Sequence, residues 1–232
     1  MKFKSVIGIN VLFCGSVFAQ HAPDYVKIAE AKYASEDYQG AIGDYNKALE
    51  IDPTFKEAYY LRAIAKEAAK EYKGAMADFN KAIELNPTQW EAYNSRGNAK
   101  RSLEDFKGAI ADYNKAIELN PQCWKAYNNR GVAKLGLYDK KGALTDYNKA
   151  IALNPQFAEA YNNRANSTNS LKKALADYNK AIEFNPKYAK AYYNRGVTKK
   201  ALNDPKGACL DWSKAGELGE LDAYDRIKEN CN

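Results

Sequence analysis

Between residues 90 and 123 a stripe of mostly small or apolar positions recurs at spacings of three and four. It runs through Ala92, Tyr93, Arg96, Gly97, Lys100 and Leu103, then through Ala109, Tyr113, Ala116 and Leu119. That period predicts two short amphipathic helices. The stripe breaks at Glu104-Asp105-Phe106, where Asp105 is placed to cap the second helix, and it ends at an Asn-Pro pair, because proline cannot donate the next helical hydrogen bond.

The same pattern fills most of the chain. A phrase close to NKAIELNP closes at Pro53, Pro87, Pro121, Pro155 and Pro186, at spacings of 34, 34, 34 and 31. A second phrase, AYNNRG or a near copy, opens the helix before it. Units are expected near residues 22–55, 56–89, 90–123, 124–157, 158–188 and 189–219, followed by a capping helix within 220–232. One two-helix hairpin cannot bury its apolar face alone, so stacked copies must supply each other's core. The expected fold is all-α, a right-handed superhelical solenoid of about six hairpins.

The fifth unit is three residues short, with Asn169, Ser170 and Leu171 where the fourth has Tyr138, Asp139 and Lys140. About one turn of its first helix is expected to be missing, with Asn169 ending that helix in a left-handed conformation and Ser170 capping the next. A local notch is expected there.

With a period of 34, and with Tyr127, Gly131, Ala143, Tyr147, Ala150 and Pro155 at set places in the fourth unit, the chain resembles the tetratricopeptide repeat family over residues 20–219. The resemblance implies a protein-interaction scaffold whose first helices line a concave groove. Along that inner surface it puts a floor of Asn129, Asn163 and Asn194, with Asn98 and Asn166 beside them. An amide side chain both donates and accepts, so such a ladder can hold the backbone of an extended protein or peptide segment without reading its sequence. The alternative for the same amides is plain solvation of a helix surface. The family's carboxylate clamp is absent as written, because Glu159 and Asn163 stand where its cations belong.

Other recurrences read as structural. Arg62, Arg96, Arg130, Arg164 and Arg195 match Asp44, Asp78, Asp112, Asp146, Asp177 and Asp211 on the second helices. The first unit has Asp44 but Ile28 in the arginine place, so the count suits pairing of each aspartate with the arginine of the following unit. Pairing within a unit is the other possibility. Lys32, Lys66, Lys100, Lys134 and Lys199 form a further row, expected to lay their stems over neighbouring tyrosines with the amines in water.

Charge and termini refine the picture. Lys2 and Lys4 precede an apolar run from Val6 to Phe18, and Ala19 stands before Gln20; this is the layout of a secretory signal peptide spanning residues 1–19. The run is too short and interrupted to favour a permanent membrane span. Export to the periplasm or the exterior is therefore expected. The net charge of +6 is spread along the chain without a basic block, so no nucleic-acid partner is expected. Beyond the leader lie Cys123, Cys209 and Cys231; folding the last two helices back antiparallel would bring Cys209 and Cys231 together as a disulfide, leaving Cys123 over.

The single histidine, His21, rules out a histidine-based triad or histidine metal cluster, and no phosphate-cradling glycine loop is present. No cofactor and no enzymatic activity are expected. The rivals to a groove-binding scaffold are a structural subunit of an envelope assembly that uses its outer faces and a carboxylate-dependent hydrolase.

Overall fold

The structure, a computed structural model, describes residues 21–231. The proposed leader lies outside the described residues.

Among the described residues there are thirteen helices and no strand. They pair as α1 (Ala22–Ala34) with α2 (Tyr38–Ile51), α3 (Lys56–Ala68) with α4 (Tyr72–Leu85), and α5 (Trp90–Ser102) with α6 (Phe106–Leu119). The pairs α7 (Trp124–Gly136) with α8 (Lys140–Leu153), α9 (Ala158–Ser167) with α10 (Leu171–Phe184), and α11 (Ala189–Ala201) with α12 (Pro205–Glu217) follow, and α13 (Asp222–Asn230) closes the stack. No described helix is long and apolar enough to cross a membrane.

A common device turns each complete hairpin. In the third unit the first helix ends with Glu104 at φ 61°, and the Asp105 N–H reaches back to the Lys100 carbonyl at 2.9 Å. Asp105 then accepts from the Gly108 N–H at 2.9 Å, which satisfies one of the free donors at the start of α6. Glu36, Lys70, Tyr138 and Asn203 take the same left-handed conformation in their units. None of these is glycine, so each turn carries a backbone cost of about 1 kcal/mol that the packed helices offset.

The core is made of alanines and one large ring per hairpin. Tyr45, Phe79, Tyr113, Tyr147, Tyr178 and Trp212 are buried on the second helices. Gly131 lets α7 lie on the Tyr147 ring; a Cβ there would stand 2.7 Å from a ring carbon. Successive first helices touch one another, α3 with α5 and α5 with α7, while successive second helices do not meet as closely. The first helices therefore occupy the tighter inner side of the stack and the second helices its wider outer side.

The fifth unit departs from the others, and from the expected geometry of its turn. Helix α9 has 10 residues where α7 has 13. It ends in Thr168 with extended backbone at φ −86° and ψ 151°, and Asn169 does not take the left-handed conformation. With three residues removed the chain has no room for the reverse loop of the other turns and crosses directly to α10. Ser170 does cap α10, accepting from the Lys173 N–H at 3.4 Å.

At the C-terminal end α13 packs on α12, with Ala223 and Ile227 against the Trp212 cluster. Cys209 and Cys231 form a disulfide with Cα atoms 5.7 Å apart. Cys123 is a buried free thiol, and burial pushes its pKa up.

Candidate functional site

The arginines pair with aspartates inside their own unit, which corrects the pairing that the count had suggested. Arg130 Nε and Nη2 donate to the two carboxylate oxygens of Asp146 at 2.9 and 2.6 Å. Arg62 with Asp78, Arg96 with Asp112, Arg164 with Asp177 and Arg195 with Asp211 repeat this bidentate geometry. Two side chains sixteen residues apart, or thirteen in the shortened fifth unit, face each other across one hairpin; those in neighbouring units do not. Asp44, lacking an arginine, is held by Lys32 and Lys47, and although burial works against it their hydrogen bonds keep its carboxyl below the usual range.

The neighbouring unit is reached by the third guanidinium nitrogen. Nη1 of Arg62, Arg96, Arg130 and Arg164 donates to Asn46, Asn80, Asn114 and Asn148 on the preceding second helix, each at 2.7 Å. Arg195 does the same to Asn179 at 2.8 Å. Each guanidinium also lies near its own unit's tyrosine, Arg130 being 5.3 Å from the Tyr127 ring centre. One arginine thus ties three helices. The asparagine of the NKA phrase was the missed partner, and its constant place two residues after the aspartate was the available signal.

The lysine row also differs from expectation. Lys66, Lys100, Lys134 and Lys199 direct their amines to Asp78, Asp112, Asp146 and Asp211 at 2.7, 2.8, 2.8 and 2.9 Å. An ammonium close to a nearly buried carboxylate is more stable paired than left in water beside it. These lysines are engaged, and so are the five arginines of the row.

The amide row lies on the inner helices, but its members bond to one another along the stack. Asn129 donates to Asn98 at 3.1 Å and approaches Asn94 at 3.4 Å. Asn163 donates to Asn128 at 3.0 Å, and Asn194 to Asn162 at 3.2 Å. Each bond joins one unit to the unit before it. The free ladder expected from sequence is in this respect a seam, because close packing of the inner helices brings successive amides within reach. Asn128 and Asn162, which the sequence reading passed over, are buried within it. Asn98 also accepts from the Tyr113 hydroxyl at 2.8 Å, and Asn166 accepts from the Tyr178 hydroxyl.

Capacity for a ligand remains along this face. The side-chain oxygens of Asn129 and Asn194 accept from no described residue, nor do the amide nitrogens of Asn94 and Asn98 donate to one. Asn94, Asn98, Asn129 and Asn194 are half-buried, while Asn166 is exposed. Toward the C-terminal ends of the first helices of the first three units, Tyr33, Glu67 and Arg101 fall at equivalent places. Burial pushes the Glu67 carboxyl up to about 7 against the opposing influence of Arg101.

The fold and site define a solenoid of helical hairpins bound edge to edge by repeated polar staples. Models described as tetratricopeptide repeats match residues 29–69, 56–89, 90–123, 140–168 and 166–203. Together these span more than half of the chain, which belongs to the tetratricopeptide repeat family.

Solved structures agree. MamA is 27% identical with a TM-score of 0.62, covering 70% of this chain and 97% of that one. YrrB, described as a TPR protein with an unusual peptide-binding site, is 25% identical with a TM-score of 0.56, covering 79% and 97%. PilF of Pseudomonas aeruginosa, 19% identical, matches in fold with a TM-score of 0.75 over 90% of this chain and 97% of that chain. No curated protein matches the sequence.

Proposed function

We propose that this chain is a non-enzymatic scaffold that holds an extended protein segment along the inner face of its first helices. The observation that carries the reading is the amide seam from Asn94 to Asn194. Unpaired acceptors on Asn129 and Asn194 and unpaired donors on Asn94 and Asn98 suit the N–H and C=O groups of a peptide backbone. YrrB, whose described site binds peptide, gives the reading a precedent in the same family. Export is part of the proposal, supported by the leader-like N-terminus and by a disulfide that persists in oxidising compartments.

Because Asn129, Asn163 and Asn194 also join the units, replacing them would confuse binding with folding. The test instead uses Lys125→Glu with Lys190→Glu, exposed on the same helix face one turn before Asn129 and Asn194 and outside the seam, and, separately, Arg101→Glu, beside an outer-face variant, Lys149→Glu. Each is checked for helicity and used to capture partners from an envelope extract. A partner retained by the wild type and the outer-face variant and lost by both inner-face variants supports the groove. Retention by the inner-face variants with loss by Lys149→Glu would transfer function to the outer helices, as a structural subunit of an assembly requires.

A further inference from the structure

The complete units show repeatedly what an outer-side carboxylate of this fold takes as its second partner. One turn after each arginine, Lys66, Lys100, Lys134 or Lys199 brings an ammonium to the aspartate already gripped by that arginine. The fifth unit has Thr168 in that place. Asp177 keeps both bonds from Arg164, at 2.8 and 2.6 Å, but receives no ammonium.

Where the lysine stem would run, a cleft of about 390 Å³ opens among Leu144, Asn148, Arg164, Thr168, Lys173 and Asp177. Its ion pair is more accessible than its counterparts: the Asp177 side chain is 13% exposed against 3% for Asp146, and Arg164 is 27% exposed against 18% for Arg130. The cleft lies between α8 and α10 on the outer side of the stack, apart from the amide seam.

We propose that this cleft receives the side-chain ammonium of a lysine presented by a bound protein, docked on Asp177 as Lys134 docks on Asp146. Leu144 and Thr168 line the path of the aliphatic stem, and Asp177 supplies the charge. Lys173 refines the choice. It replaces the glycine found at this place in the other units, Gly142 in the fourth, and has no carboxylate partner among the described residues. Its cation at the cleft opposes a bare amine and favours a lysine with an acidic neighbour. The segment that fits is a Lys-Glu or Lys-Asp step on a protein surface.

The test is an amide-resolved NMR titration of the ¹⁵N-labelled protein with acetyl-Ala-Lys-Glu-amide, with the same peptide acetylated at Nε, and with cadaverine. Saturable shifts confined to residues around Thr168, Lys173 and Asp177 are expected with the lysine peptide. Loss of the ammonium should weaken them about tenfold, the value of one charge-assisted hydrogen bond. Thr168→Lys should weaken them by as much, because the chain would then fill its own site. Asp177→Asn, a separate variant that keeps the shape, should do likewise, so the result does not depend on one substitution folding. Equal binding of the acetylated peptide, unchanged binding in both variants, or no saturable shift would overturn the proposal. Tighter binding of cadaverine than of the peptide would also overturn it, making the site one for free diamines.

Discussion

The fourth and fifth units differ by three residues, and the difference separates what holds this solenoid together from what merely fills it. In both, an arginine grips the aspartate of its own hairpin and the asparagine of the preceding one, and an inner asparagine bonds to the unit before. Only the fourth has the left-handed turn residue, the second cation on the aspartate and a glycine under the buried ring. The inter-unit staples and the arginine–aspartate pair survive the deletion; the turn residue, the second cation and the close helix–ring approach do not. Stability in a stacked array is the sum of each unit's own folding and its contacts with neighbours, so the fifth unit is expected to depend more on its neighbours than the fourth does.

The largest expected effect breaks the comparison at its charges. Asp146→Ala strands Arg130 and Lys134 beside an almost buried site, and a loss of about 3 kcal/mol or more is expected from uncompensated charge. Asp177→Ala strands one cation that is already more open to water, and about half that loss is expected. Urea unfolding of the two variants checks the ratio. Equal losses would mean that the lysine ammonium contributes nothing beyond the arginine.

A smaller effect concerns the close approach of helix and ring. The fifth unit has Ala165 where the fourth has Gly131. Gly131→Ala is expected to cost about 1–3 kcal/mol, because its new methyl meets the Tyr147 ring within a packed core. The reverse change, Ala165→Gly, adds no clash and should cost about 1–2 kcal/mol, through helix propensity and the loss of one buried methyl. Thermal unfolding of both variants gives the comparison, and a Gly131→Ala variant as stable as the wild type would show that the fourth hairpin can open as the fifth has.

Most of this fold was legible because the information was local and repeated. Spacing of prolines fixed the units, the three-and-four stripe fixed the helices, and the shift of register at Lys173-Ala174-Leu175 located the notch. Partners across space were less legible. The arginine could meet an aspartate in its own unit or the one before, and the chain's spacing does not decide between them; packing does, by facing α7 with α8. The inner amides illustrate the same limit. Spacing put Asn129, Asn163 and Asn194 on one helix face and the family resemblance implied that this face is the inner one, but whether they face a ligand or one another depends on how tightly the units close. Asn169 failed as a left-handed cap for a local reason, since the shortened connection crosses too directly to need the reversal.

The finest prediction lies in the buried tyrosines. Tyr113 donates to Asn98 at 2.8 Å and Tyr178 donates to Asn166, whereas Tyr147 has Val132 in the corresponding place. Its hydroxyl is the only buried side-chain polar atom without a hydrogen-bond partner among the described residues. The adjacent α9 brings Ser167 close; its hydroxyl donates to the Asn163 carbonyl at 2.8 Å and keeps lone pairs toward the Tyr147 hydroxyl, which approaches them without reaching hydrogen-bond geometry. Removing the hydroxyl should therefore have opposite meanings in the two places. Tyr113→Phe leaves Asn98 with one donor fewer and should cost about 0.5–1.5 kcal/mol, while Tyr147→Phe removes an unpaired buried group and should be neutral or slightly stabilising. Val132→Asn offers the missing acceptor and should make the following Tyr147→Phe change costly. That double-mutant cycle isolates the hydroxyl–amide coupling from the effect of either side chain alone. A coupling near zero would mean that the fourth unit already satisfies its tyrosine by another route, and that the asparagines at Asn98 and Asn166 owe their place to the groove rather than to the ring behind them.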